Sequence, residues 1–163
     1  MKCSTPSYGR WRKPPWPAPS ARVPTLYPAV EVVHLAGLAL LIGSATAFDL
    51  RLLGVSRALS VRTLGTHLLR WTWTGFALAA ASGLLLFSAN ATALAANTAF
   101  QVKLAVIALA GCNAAVFHTV HTCTIASWDT GAAPPPLVRL TGAASLLLWL
   151  TALTCGRLIA YTT

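Results

Sequence analysis

Acidic residues are almost missing from this 163-residue chain: Asp and Glu together number three, against twelve Lys and Arg. Three acids give little from which to build a carboxylate pair for hydrolysis or an oxygen cage for a hard cation. Charge of either sign is scarce, at 9% of residues, where a soluble domain carries about 25%. Too few charges remain to solvate a surface, which excludes a water-soluble globule. Methionine is confined to Met1, so thioether ligation has no source inside the chain. The four cysteines, Cys3, Cys112, Cys123 and Cys155, form no C-x-x-C pair, which argues against a zinc ribbon or a thioredoxin-like site. H-E-x-x-H, G-x-S-x-G and glycine-rich phosphate loops are also missing. The first 27 residues hold no apolar stretch of the kind a cleavable signal peptide needs.

What is present is apolar. Hydrophobic residues make up 56% of the chain and the mean hydropathy is +0.66, which excludes disorder for the bulk of it. The net charge of +9 does not indicate nucleic acid as a partner, because the bases flank long apolar runs instead of clustering over a polar surface. No ten-residue segments of alternating polarity suggest a membrane β-barrel. The fold class expected is an all-α membrane protein, an up-down bundle of four transmembrane helices, with the lipid bilayer as its first partner.

The pattern predicts a Pro/Arg-rich disordered tail over residues 1–27, followed by a four-helix domain over 28–163. Its spans are expected at about 28–53, 68–88, 98–121 and 137–161. Leu53 to Leu69, with Arg57, Arg62 and two glycines, reads as a loop with room for a short interfacial helix. Asn90 to Asn97 reads as a small uncharged turn, and Ser127 to Pro136 as the clearest break in the chain. Four spans define two faces. Face A holds the tail, the Asn90–Asn97 turn and the C-terminus; face B holds the other two loops. Lys and Arg are balanced between the faces, and the uncharged turn is the one feature that points face A outward. Trp71, Trp73 and Trp128 fall at face-B boundaries, where aromatic belts form. Gly75, Ala79 and Gly83 on the second span, with Gly43 and Ala47 on the first, are small-residue stripes through which membrane helices approach closely.

An unpaired charge inside a membrane costs several kcal/mol, roughly 2.5–3.5 on insertion scales, so each one calls for a partner. Glu31 and Asp49 lie 18 residues apart on the first span, five turns on one helix face, and Lys103 and His121 repeat that spacing on the third. Glu31, His34, Lys103, Arg157 and Tyr161 can therefore gather at face A. At face B, Asp49 can reach Arg51, Arg70 or Arg139. Such charges either pin helix register as salt bridges or form a polar site for an ion, a proton, a quinone or haem propionates. The histidines sharpen the second possibility. His67 and His118 or His121, on adjacent helices at one depth, could ligate a haem b through neutral imidazoles, with Arg70 and Arg139 facing its propionates. Ala114 and Ala115 would leave room beside the porphyrin. His34 alone serves face A and would need its second ligand from another subunit of a homo-oligomer. No metal site beyond haem iron and no catalytic residue is expected.

The segments Tyr27–Gly54 (YPAVEVVHLAGLALLIGSATAFDLRLLG), Trp71–Ala91, Asn97–His118 and Gly156–Tyr161 together resemble an uncharacterised bacterial four-helix membrane family, a domain of unknown function. The His34–Gly37 H-x-x-G is also loosely similar to the first helix of copper-resistance D and b-type cytochrome-like membrane proteins. The resemblance implies the fold and a place in a bacterial inner membrane, with no established activity. Three functions follow as expectations: a b-haem electron-transfer subunit, a non-catalytic accessory subunit packed on a membrane partner, and a small transporter using the Glu31–Lys103–Arg157 cluster.

Overall fold

The computed structural model describes residues 26–162, with the side chains of 26, 121–123, 160 and 162 outside the description. All but the end of the expected tail therefore lies outside the described residues. Helix α1 (Leu26–Leu52) begins two residues before Pro28, whose missing N–H costs nothing in a first turn. Helix α2 (Val61–Ala89) begins seven residues earlier than the apolar pattern suggests. Ser60 sets that start: its hydroxyl accepts from the Thr63 backbone N–H at 3.1 Å. Of the arginines that made this stretch read as loop, Arg57 stays in the turn before α2, and Arg62 is exposed on the first turn of a helix that runs past the apolar core. The face-A turn is itself helical, α3 (Ala91–Ala96), and Asn97 then caps α4 (Thr98–Val116) by accepting from Ala99 and Phe100 N–H. The third span ends its regular α-helix at Val116 and continues as a π-helical turn, Phe117–His121, and a 3₁₀ turn, Thr122–Ser127. Helix α5 (Pro136–Thr162) returns the chain to face A.

Four of these helices are long and apolar enough to cross a membrane, and no strand occurs among the described residues. The protein is a multi-pass helical membrane protein. Its outward faces carry aliphatic side chains such as Leu84, Leu140 and Leu147, the arrangement required where lipid is the solvent. Inside, α1 packs along α2 and α4 along α5, and α1 against α5 joins the two hairpins.

The α1–α2 crossing is set by glycine. A Cβ on Gly75 would stand 2.5 Å from the Leu41 backbone nitrogen and 2.8 Å from the Gly37 carbonyl oxygen. One on Gly37 would stand 2.7 Å from the Ala79 nitrogen. Gly75 and Ala79 of the expected stripe are thus at the contact. Their partner on α1 is Gly37; a Cβ on Gly43 would meet nothing within 4 Å. Ser44 adds a polar tie, its hydroxyl 2.8 Å from that of Thr72.

At face B the bundle is plugged by Leu52, Val61, Phe117, Ile125, Trp128 and Val138. Trp128 is therefore a core residue, 3% exposed, and not part of an interfacial belt, because the loop after α4 folds its indole under the bundle end. Trp71 and Trp73 do face outward.

Candidate membrane cavity and its polar wall

Helices α2 and α4 meet at face A, where the Phe87 and Phe100 rings stack at 5.3 Å. Toward face B they are held apart, and a cavity of about 1020 Å³ fills the gap, with α1 and α5 as its floor. That volume is at the upper end of the range for sites that hold a small molecule, roughly 300–1,000 Å³. The lining is mainly aliphatic and aromatic, including Phe48, Trp73, Phe76, Phe117 and Trp149. Phe48 and Phe117 meet edge to face at 5.5 Å, where the floor joins the face-B plug.

A few polar groups interrupt this lining: Asp49 from α1, Arg62 and Thr72 from α2, Asn113 from α4, His118 from the π-helical turn, and Thr141 and Ser145 from α5. Asp49 is only 5% exposed, and the Ser145 hydroxyl is directed at its carboxylate. Its Oδ2 is sealed from solvent with no hydrogen-bond partner. The Asn113 amide nitrogen donates to the Thr141 carbonyl oxygen at 3.0 Å. π-Helical turns are concentrated at functional sites because they displace side chains from the regular helical register. Here the turn begins beside His118, which continues the wall spacing of Gly111, Ala114 and Ala115, with its ring edge to face on Phe117.

Of the cations expected near Asp49, Arg70 and Arg139 are exposed and Arg51 is employed elsewhere. Arg51 is 1% exposed and turns away into the face-B loops. There it donates to the carbonyl oxygens of Leu59 (2.7 Å), Asp129 (2.8 Å) and Arg57 (3.3 Å). Asp129, the third acid, completes this clasp. Its carboxylate accepts from the Ser60 hydroxyl at 2.9 Å and from the Arg62 backbone N–H at 3.0 Å, while the Gly131 N–H donates to Arg57 O. The Arg62 N–H bond, with the Ser60 hydroxyl beside it, holds the Asp129 carboxyl below its ordinary value. Sequence reading missed this role of Asp129. The available signal was Ser60, a capping residue ahead of an apolar run.

Of the haem ligands and counter-charges expected at face B, His118 lines the cavity together with Ala114 and Ala115. His67, Arg70 and Arg139 are exposed and do not belong to its wall. The side chain of His121 lies outside the described residues. Among the described residues no group of three or more His, Cys, Asp or Glu is placed to hold a metal ion.

At face A the expected cluster is gathered only in part. The His34 ring packs on Gly83, and its Nδ1 lies 2.9 Å from the Ala79 carbonyl oxygen, an acceptor that requires the proton on Nδ1. The Ser82 hydroxyl lies 3.1 Å from the same nitrogen. Glu31 and Lys103 both lie within electrostatic reach of this imidazole. Glu31 is exposed, whereas Lys103 turns inward against Gly156. Arg157 is exposed on α5 and donates to the Tyr161 hydroxyl at 3.1 Å, with its guanidinium over the same ring. His34 and the Arg157–Tyr161 pair thus have local structural partners, and a smaller face-A hollow of about 570 Å³, lined by residues 96–99 with Val102, Cys155 and Leu158, does not include them.

Comparison with known proteins gives one finding on family. A family described as of unknown function, DUF6644, matches residues 25–162, all four spans. No curated protein and no solved structure matches the chain.

Proposed function

The chain belongs to the DUF6644 family, and from that premise we propose that it is a membrane-embedded binding protein whose site is the cavity between α2 and α4. The observation that carries this reading is an apolar hollow of about 1020 Å³ with a buried carboxylate, Asp49, in its wall. The hollow is open between α2 and α4, and a molecule seated in it gains contacts along a lining that these helices do not give one another. The bacterial inner membrane is the compartment this reading carries over from the sequence resemblance. Binding of an apolar fluorescent dye to the protein in lipid nanodiscs tests it. A Gly111→Phe variant serves as the blocked control, since Gly111 lines the cavity and a Cβ there meets open space. Saturable binding lost in that variant supports the site. Equal binding in both rejects it in favour of a non-catalytic accessory subunit.

A second reading, haem b and electron transfer, draws on one observation: His118 and Arg62 share the cavity wall. A neutral imidazole is a common axial ligand and a guanidinium pairs well with a propionate. Bound haem would supply one-electron chemistry. Among the described residues His118 is the imidazole of this wall that would hold the iron, and His67 stands outside it. A Soret band that shifts on reduction and is lost in His118→Ala supports this occupant, and a featureless visible spectrum of haem-supplemented membranes rejects it.

A further inference from the structure

We propose that the occupant of this cavity is a lipophilic amine, an apolar molecule whose ammonium group pairs with the Asp49 carboxylate; the inference rests on the cavity reading above. The argument starts from charge. Face B holds two acids and several arginines, and the structure shows which charge answers which. Arg51 donates through Nε and Nη2 to three loop carbonyl oxygens, keeps its Nη1 buried without a partner, and makes no bond to Asp49. Arg62 shares the cavity wall, but the carboxylate it acts on is that of Asp129, which its backbone N–H also binds. Arg70 and Arg139 are exposed and stand off the wall. Asp49 is left with the Ser145 hydroxyl and a sealed Oδ2 that has no partner. A buried carboxylate costs several kcal/mol unless a cation or strong donors meet it, and among the described residues Ser145 is the donor and no cation meets it.

The rest of the wall suits a cation better than an anion. Asn113 lines the cavity and spends its amide nitrogen on the Thr141 carbonyl oxygen, so that its own oxygen can act only as an acceptor. Phe76 and Trp149 also line the cavity, and an aromatic ring attracts an ammonium that meets its face. The aliphatic remainder takes the ligand's hydrocarbon body.

The test uses three probes of one shape, 1-adamantylamine, 1-adamantanol and adamantane, on the full chain in phosphatidylcholine nanodiscs at neutral pH. Affinities are read by ligand-observed NMR. The amine is expected to bind about tenfold or more tighter than the alcohol, a difference of about 1.4 kcal/mol. Asp49→Asn should erase that preference, so that amine and alcohol bind alike. Should Asp49→Asn fail to fold, the amine-to-alcohol ratio in the unaltered protein and its loss in Gly111→Phe decide the question. Equal binding of all three probes, lost in Gly111→Phe, leaves the cavity reading standing and overturns the Asp49 inference. An alcohol bound as tightly as the amine also overturns it, since a neutral donor would then suffice. Binding of none of the probes, or binding untouched by Gly111→Phe, overturns the cavity reading itself.

Discussion

Ser60 and Asp129 tie the two face-B loops to the start of α2, and each acts through a small number of hydrogen bonds. Ser60→Ala removes the cap of a transmembrane helix and is expected to cost about 1 kcal/mol, read as a lower Tm in nanodiscs. Asp129 has the added property of a pH window. Its carboxyl titrates below its ordinary value because the charged form accepts from the Arg62 N–H and Ser60. A group depressed in the folded state stabilises above its unfolded pKa, near 3.9 for Asp, and loses that contribution as pH falls through the folded value. The Tm difference between the protein and Asp129→Asn should therefore be constant from neutral pH down to about 5. It should close as the pH drops below about 4. A difference that stays open in acid would show that the side chain acts by shape alone. Asp49 was recognisable in the sequence as an acid in need of a partner. That the partner is no arginine follows only from the loop carbonyls that draw Arg51 away.

Among the elements, the α1–α2 pair shows how a small-residue stripe becomes a helix crossing. Gly75→Leu drives a side chain into the Leu41 backbone and the Gly37 carbonyl, neither of which can rotate away. The helices must separate, at a cost of about 1–3 kcal/mol or more. Gly43→Ala meets open space and should stabilise, by up to about 1 kcal/mol from helix propensity alone. Thermal unfolding of the two variants side by side checks the assignment, and equal destabilisation would falsify the crossing. The stripe on α2 was legible because its period matches the helix. Its partner was not, since Gly43 has Ala39 and Ala47 four residues away and reads as a stripe, whereas Gly37 has Val33 and Leu41 there and reads as none. The π-helical turn at Phe117–His121 was equally hidden, because its residues carry no composition signal that distinguishes them from the end of a regular span.

For the whole molecule, four spans return the chain to its starting face. Reporter fusions at Gly131 and after the C-terminus should give opposite sides of the membrane; the same side for both would remove one span from the count. Hydropathy, loop breaks and the scarcity of charge were enough to determine the membrane class, the number of spans and most of their ends, because lipid imposes length and apolarity on any helix that crosses it. Those same constraints are silent on how helices pair, since every outward face is satisfied by lipid. The tertiary structure alone decided that α1 bridges two hairpins, that α2 and α4 part to open a cavity, and that His118 stands on its wall without His67. Local propensity reads along the chain, whereas the cavity depends on side chains from four helices meeting at one depth, which only packing determines.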